Sequence, residues 1–158
     1  MTEQLRNIRK TALLLLYGAD LSGATADEAM ENAPQLLARS PDETVGETVD
    51  EMPAEDWDEV AARVRRVLER RDEIDEEIRE LSPNWRIERM AAVDRNLLRL
   101  GIYEILEEIT PPLIAINACV ELAKEFGTAT TPGFINGLLD QLCQNHNIAI
   151  DASSRPSG

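Results

Sequence analysis

From Arg95 to Ile109 the chain is apolar almost all the way round a 3.6-residue period, and no other stretch constrains the fold as much. A helix of that kind has no face to offer water, so other elements must enclose it. The flanking sequence supplies them as further helices. A first helix from about Glu3 to Asp20 carries Leu5, Ile8, Ala12, Leu15 and Leu16 as an apolar stripe. Thr25 and Glu28 have capping-box spacing and open an acidic helix to about Leu37. Ala54 to Leu81 reads as one long helix, with Val60, Val64, Val67, Ile74, Ile78 and Leu81 on its apolar face. Ser82 and Pro83 suit the start of a short element around Trp85 to Met90, and Asp94 suits the N-cap of the enclosed helix. Thr110 with Pro111 and Pro112 marks a further start, closed by Gly127 at the C′ position. Thr131 with Pro132 marks the last, which ends near Cys143. Strand alternation is nearly absent and no solenoid repeat is present, so the expected fold is all-α with about seven helices.

Charge limits the function classes. The 158 residues hold 30 Asp+Glu and 16 Lys+Arg, a net of −14, which disfavours tight unassisted binding to nucleic acid or to an anionic membrane. The charge is uneven. Ala19 to Glu59 carries 13 acidic residues and one basic residue, Arg39, while the other 117 residues hold 17 acidic and 15 basic side chains. The acidity is therefore regional, and the remainder is almost neutral. With 43% hydrophobic residues the chain can bury a core.

The N-terminal apolar stretch, TALLLLYGA, is too short to span a bilayer and lacks the small-residue cleavage site of a secretory signal. Cys119 and Cys143 have no metal-ligand spacing and read as core thiols of a cytosolic protein. No phosphate loop, HExxH pair, nucleophile elbow or zinc spacing occurs, and His146, the only histidine, lies in a polar tail. No metal, cofactor or enzymatic activity is expected. The pattern is that of a binding protein.

Four segments carry a resemblance. RNIRKTALLLLY from Arg6, NWRIERMAAVDRNLLRLGIYEIL from Asn84, PPLIAINACVELAKEFG from Pro111 and GFINGLLDQL from Gly133 stand in the order and at the separations of the NusB family of transcription antitermination factors, which the chain resembles. The resemblance implies two packed helical bundles and a cytoplasmic protein. It also implies a boxA-type single-stranded RNA ligand, the ribosomal protein NusE as partner, and membership of an RNA polymerase antitermination complex. A divergent member without RNA binding would instead be a protein-interaction or self-associating module, such as a homodimer. The expected organisation is one domain over residues 1–144, with an acidic loop at 39–53 and a flexible tail at 145–158.

The resemblance also nominates RNA-binding residues, and the bottom-up reading sets an alternative beside each. Arg6, Arg9 and Lys10 match an arginine-rich helix start that contacts RNA, or they form a solvated helix terminus. Tyr17 can stack on a base or pack on the core. Arg95 and Arg99 lie one turn apart, and Arg99 can reach a phosphate or pair with Glu104 or Glu121. Thr131 and Phe134 open the last helix. Thr131 can donate to a phosphate or serve as N-cap, and Phe134 can stack on a base or join the core. Trp85, Leu122, Phe126 and Ile135 are core candidates, and Asn117, Asn136 and Gly137 read as interhelical architecture. The Arg run Arg63, Arg65, Arg66, Arg70 and Arg71, interleaved with acids, reads as a solvated salt-bridged face. INACVELAK departs from the family's common INEAVELAK at Ala118 and Cys119, and the acidic loop has no family counterpart.

Overall fold

A computed structural model describes residues 2–38 and 52–150. Most of the expected acidic loop, residues 39–51, and the tail from residue 151 lie outside the described residues. Among the described residues there are eight α-helices, one 3₁₀ turn and no strand. The chain separates into two compact units, Met1–Arg70 and Arg71–Gly158.

In the first unit α1 (Thr2–Ser22) packs against α2 (Ala26–Glu31), α3 (Ala33–Ala38) and α4 (Ala54–Glu69). Its middle is buried on every side, with each residue from Thr11 to Leu16 under a tenth exposed. Val60, Val64 and Val67 form the facing stripe of α4, and each such buried side chain contributes about 1.5–3 kcal/mol. Polar ties fix how the helices meet. Gln4 Nε2 donates to Asp56 Oδ1 at 2.5 Å, and Arg65 pairs with Asp27. The capping box is present: Thr25 Oγ1 accepts the Glu28 N–H and Glu28 Oε1 accepts the Thr25 N–H, both at 3.2 Å.

The single acidic helix expected to run to Leu37 is two helices, broken at Asn32. Pro34 accounts for the break. It has no N–H to continue the ladder and its ring would strike the carbonyl one turn back, whereas the first turn of α3 tolerates it. The expected long helix over Ala54 to Leu81 is also two, α4 and α5 (Arg71–Leu81), with Arg70 between them at φ −104°, ψ 17°. The break falls where one unit ends and the next begins, so each half serves a different core. Nor is the arginine run uniformly solvated. Arg63 is 3% exposed, with Nη1 on Glu59 Oε2 at 2.7 Å and on the Glu59 carbonyl at 3.2 Å.

In the second unit α6 (Ala92–Leu106) is buried continuously from Asn96 to Ile105, as its apolar circumference demands. α7 (Pro112–Phe126), α8 (Thr131–Asn145) and α5 enclose it. Leu122, Ile135, Leu139 and Leu142 fill the core, and Cys119 and Cys143 are buried free thiols. Burial, and secondarily Asp140, pushes the Cys143 thiol up. Phe126 is only half-buried. The chain beyond α8 is held further than expected, because His146 caps the helix and its Nε2 lies 2.9 Å from Glu77 Oε2. No described helix is long and apolar enough to cross a membrane.

Candidate functional site

The segment joining α5 to α6 is pinned at several points. Ser82 is buried and donates Oγ to the Ile78 carbonyl at 2.9 Å, so it closes α5 and does not cap the element that follows. The Trp85 N–H reaches the Ser82 carbonyl at 3.0 Å, and a 3₁₀ turn over Ile87–Arg89 follows. Ile87 and Met90 bury their side chains, and Arg95 Nη1 donates to the Met90 carbonyl at 3.0 Å. Between these anchors Asn84, Trp85, Arg86, Glu88 and Arg89 are exposed. Trp85 is therefore not a core residue. It is 64% exposed, and its ring meets Phe134 edge-on with centroids 6.4 Å apart and planes at 63°. Such a pair is worth about 0.5–1.5 kcal/mol and restricts the indole.

Phe134 sits in the first turn of α8, where Thr131 is also fixed. The N-cap position belongs to Thr130, which makes no side-chain cap bond. Thr131, 1% exposed, is already helical. Its Oγ1 accepts the Thr128 N–H at 3.0 Å and donates to Asp94 Oδ1 at 3.1 Å. Asp94 in turn is not a cap, since α6 begins before it and Ala91 holds the N-cap position. Burial raises the Asp94 carboxyl pKa above its ordinary 3.8, and the Thr131 hydrogen bond opposes part of that rise. Gly127 ends α7 in an extended conformation (φ −95°, ψ −170°), so the left-handed C′ stop is absent. Its glycine has another cause, because a Cβ there would lie 2.5 Å from the Thr131 Cβ.

One turn along α6, Arg99 is 6% exposed. Nε and Nη2 donate to the two carboxylate oxygens of Asp75 at 2.8 and 3.0 Å, and Nη1 donates to Asn96 Oδ1 at 3.1 Å. The bidentate carboxylate partner of Arg99 is Asp75. Glu104 accepts from Thr110 Oγ1 at 2.6 Å, and Glu121 pairs with Lys124 at 3.0 Å. The second unit thus gathers Arg95, Thr131 and Phe134 around the segment from Ser82 to Asp94, with Arg99 held below the surface.

The other four candidates lie on α1 in the first unit. Arg6 is exposed, Lys10 and Tyr17 are half-buried, and Arg9 is 4% exposed. Register alone cannot separate Arg6 from Arg9, because positions three apart share a helix face and yet differ in exposure. The motif residues Asn117, Asn136 and Gly137 are exposed, and a Cβ on Gly137 would meet nothing within 4 Å, so they are not interhelical architecture. Sequence reasoning passed over Arg86 and Arg89 and misplaced Trp85. The available signal was the polar composition of residues 83–89, which has no apolar period to bury an indole. Among the described residues no cluster of His, Cys, Asp and Glu can hold a metal ion.

The model of the NusB family matches residues 6–144. The transcription antitermination protein NusB of Myxococcus xanthus is 40% identical over 141 residues, covering 87% of this chain and 92% of that protein. The crystallised NusB of T. maritima is 28% identical, with a TM-score of 0.69 and coverage of 88% of this chain and 89% of that one. A structure of antitermination factors NusB and NusE in complex with dsRNA aligns at a TM-score of 0.74 with 24% identity, over 92% and 99% of the two chains, which is a likeness of fold.

Proposed function

The chain belongs to the NusB family, and on that premise we propose that it binds boxA-type single-stranded RNA together with the ribosomal protein NusE. Its role is transcription antitermination by binding, not catalysis. The cytoplasm is where it works, supporting transcription of ribosomal RNA operons within an RNA polymerase antitermination complex. The observation that carries this reading is the family match across residues 6–144, shared with antitermination proteins at up to 40% identity.

The residues divide by burial. Arg6, Lys10, Tyr17 and Phe134 are accessible enough to touch RNA, and they offer the cations and rings that an unpaired strand requires. Arg9, Arg99 and Thr131 are each under a tenth exposed, so their part is to position the surface. Arg95 holds the Trp85 segment through the Met90 carbonyl. So few accessible cations on a chain of net charge −14 make unassisted affinity modest and salt-sensitive, and a basic partner adds both contact area and charge. A protein partner would also find exposed apolar surface at Ile109, Leu113 and Ile114.

The test is binding of a boxA-type strand, a scrambled strand and a boxA duplex, with and without NusE, at two salt concentrations. Preference for the boxA-type single strand, strengthened by NusE, is expected. No sequence preference in any mixture overturns the reading.

A further inference from the structure

We infer that Trp85, braced by Phe134, is a stacking platform for an unpaired base, with Arg86 and Arg89 supplying cations for the adjoining phosphates. The inference rests on the RNA-binding reading and adds to it three contact residues, Trp85, Arg86 and Arg89, beside Phe134. Trp is seldom left mostly exposed, because its ring forfeits more burial than any other side chain. Here the indole is 64% exposed although the segment carrying it is not loose. It is fixed by the Ser82 carbonyl behind it, by buried Ile87 and Met90 ahead of it, and by Arg95 on the Met90 carbonyl. Phe134 supports the ring edge-on and leaves most of it open. The exposure is thus built into the fold.

The neighbours indicate what the ring faces. Asn84, Arg86, Glu88 and Arg89 surround it in sequence and all are exposed; among the described residues neither guanidinium is paired. Even with Glu88 the segment has a net positive charge, in a chain whose excess acid lies between Ala19 and Glu59. A ring among uncommitted cations suits a single-stranded polyanion, where every base offers a π-face and every nucleotide a phosphate. A protein partner seeking apolar area would find it instead in the aliphatic cluster of Ile109, Leu113 and Ile114.

The experiment uses the full chain with Trp57→Phe, which leaves Trp85 as the sole indole of the two in the sequence. Titration with a boxA-type RNA strand is expected to quench its fluorescence, and a strand of equal length with abasic sites is expected not to. Trp85→Ala in the otherwise unaltered chain is expected to weaken RNA binding roughly ten-fold, and Trp85→Phe to retain most of it. Arg86→Gln with Arg89→Gln is expected to reduce the slope of log K against log salt by about 1.4. Circular dichroism and unfolding midpoints should match the parent for each variant. If the parent binds RNA and Trp85→Ala binds equally well, the platform is refuted while the RNA-binding reading stands. If Trp85→Ala loses NusE but keeps the free protein's RNA affinity, the ring is a protein contact and the inference falls. If the parent binds no RNA in any mixture, the broader reading fails and takes the platform with it.

Discussion

Arg99 and Asp75 meet as a fork on a fork, Nε to Oδ1 at 2.8 Å and Nη2 to Oδ2 at 3.0 Å, and the pair ties α6 to α5 inside the second unit. The third arm of the guanidinium is taken by Asn96 Oδ1 at 3.1 Å, so this arginine is committed to structure. Both partners are under a tenth exposed, which makes the pair costly to break and not necessarily costly to replace. Removing one partner strands a buried charge, and Arg99→Met is expected to lower stability by about 3–5 kcal/mol. Adding Asp75→Leu is expected to recover most of that stability, because no charge is then left unpaired. Urea unfolding of the single and double variants measures both. A single variant as stable as the parent would show that water reaches the pair freely.

A second close approach explains a glycine. The Cβ of an alanine at position 127 would sit 2.5 Å from Thr131 Cβ and 2.6 Å from its Oγ1. Thr131 cannot move aside cheaply, since that oxygen bonds both the Thr128 N–H and Asp94. Gly127→Ala is therefore expected to cost about 1–3 kcal/mol through overpacking. Thr131→Ala in the Gly127→Ala background removes part of the clash but forfeits both hydrogen bonds. Denaturant midpoints of the two variants and the double should show non-additivity, as expected for residues that touch.

These two pairings mark what was legible in the sequence. Features set by neighbours along the chain were readable: the capping box at Thr25 and Glu28, the valine stripe of α4, and the apolar circumference of α6 all rest on local spacing. Pro34 is an equally local signal for the break at Asn32, but the apolar spacing of Ala29, Ala33 and Leu37 runs on across it and masks the break. Arg70 carries no such signal, since the apolar spacing from Val67 to Ile74 persists through the break. Pairings between distant positions were not readable. Arg99 finds Asp75 and Thr131 finds Asp94 because helices dock, and several carboxylates at similar spacing were chemically equivalent candidates. For the same reason motif membership did not foretell depth. Arg9 is buried while Arg6 is exposed, and Trp85 is exposed because its segment is pinned from beneath by Ile87 and Met90.

Asp94 makes stability depend on pH in a direction opposite to that of a salt-bridged carboxylate. Its folded pKa lies above 3.8 because burial penalises the charged form more than the Thr131 bond favours it. In the window between 3.8 and that raised value the folded state holds a proton that the unfolded state has released. Asp94 therefore contributes more stability at the acid side of the window, and that contribution is lost as pH rises through it. Asp94→Asn keeps an oxygen for Thr131 and does not ionise. The stability of Asp94→Asn relative to the parent is expected to increase from about pH 4 towards pH 7, read by denaturant titration across that range. A difference that does not change with pH would mean that the carboxyl is solvated.

On α1 the depth of each cation predicts what its removal will do. Arg6 is exposed, so Arg6→Glu is expected to leave the unfolding midpoint almost unchanged, since surface substitutions stay within about 0.5 kcal/mol. If Arg6 touches a phosphate, RNA affinity falls and the log–log salt dependence flattens, by about 0.7 in slope for each phosphate of a single strand that is no longer neutralised. Lys10 is half-buried, and Lys10→Gln is expected to act in the same direction with a smaller effect on affinity. Arg9 differs. At 4% exposure its charge is held away from water, so Arg9→Gln is expected to lower the unfolding midpoint as well as the affinity. Measuring affinity, salt slope and midpoint on the three variants separates direct RNA binding from structural support. An Arg6 variant with unchanged affinity and slope would reduce that helix end to a solvated terminus, and the RNA surface would then have to be sought in the second unit, where Phe134 and the segment from Ser82 to Asp94 come together.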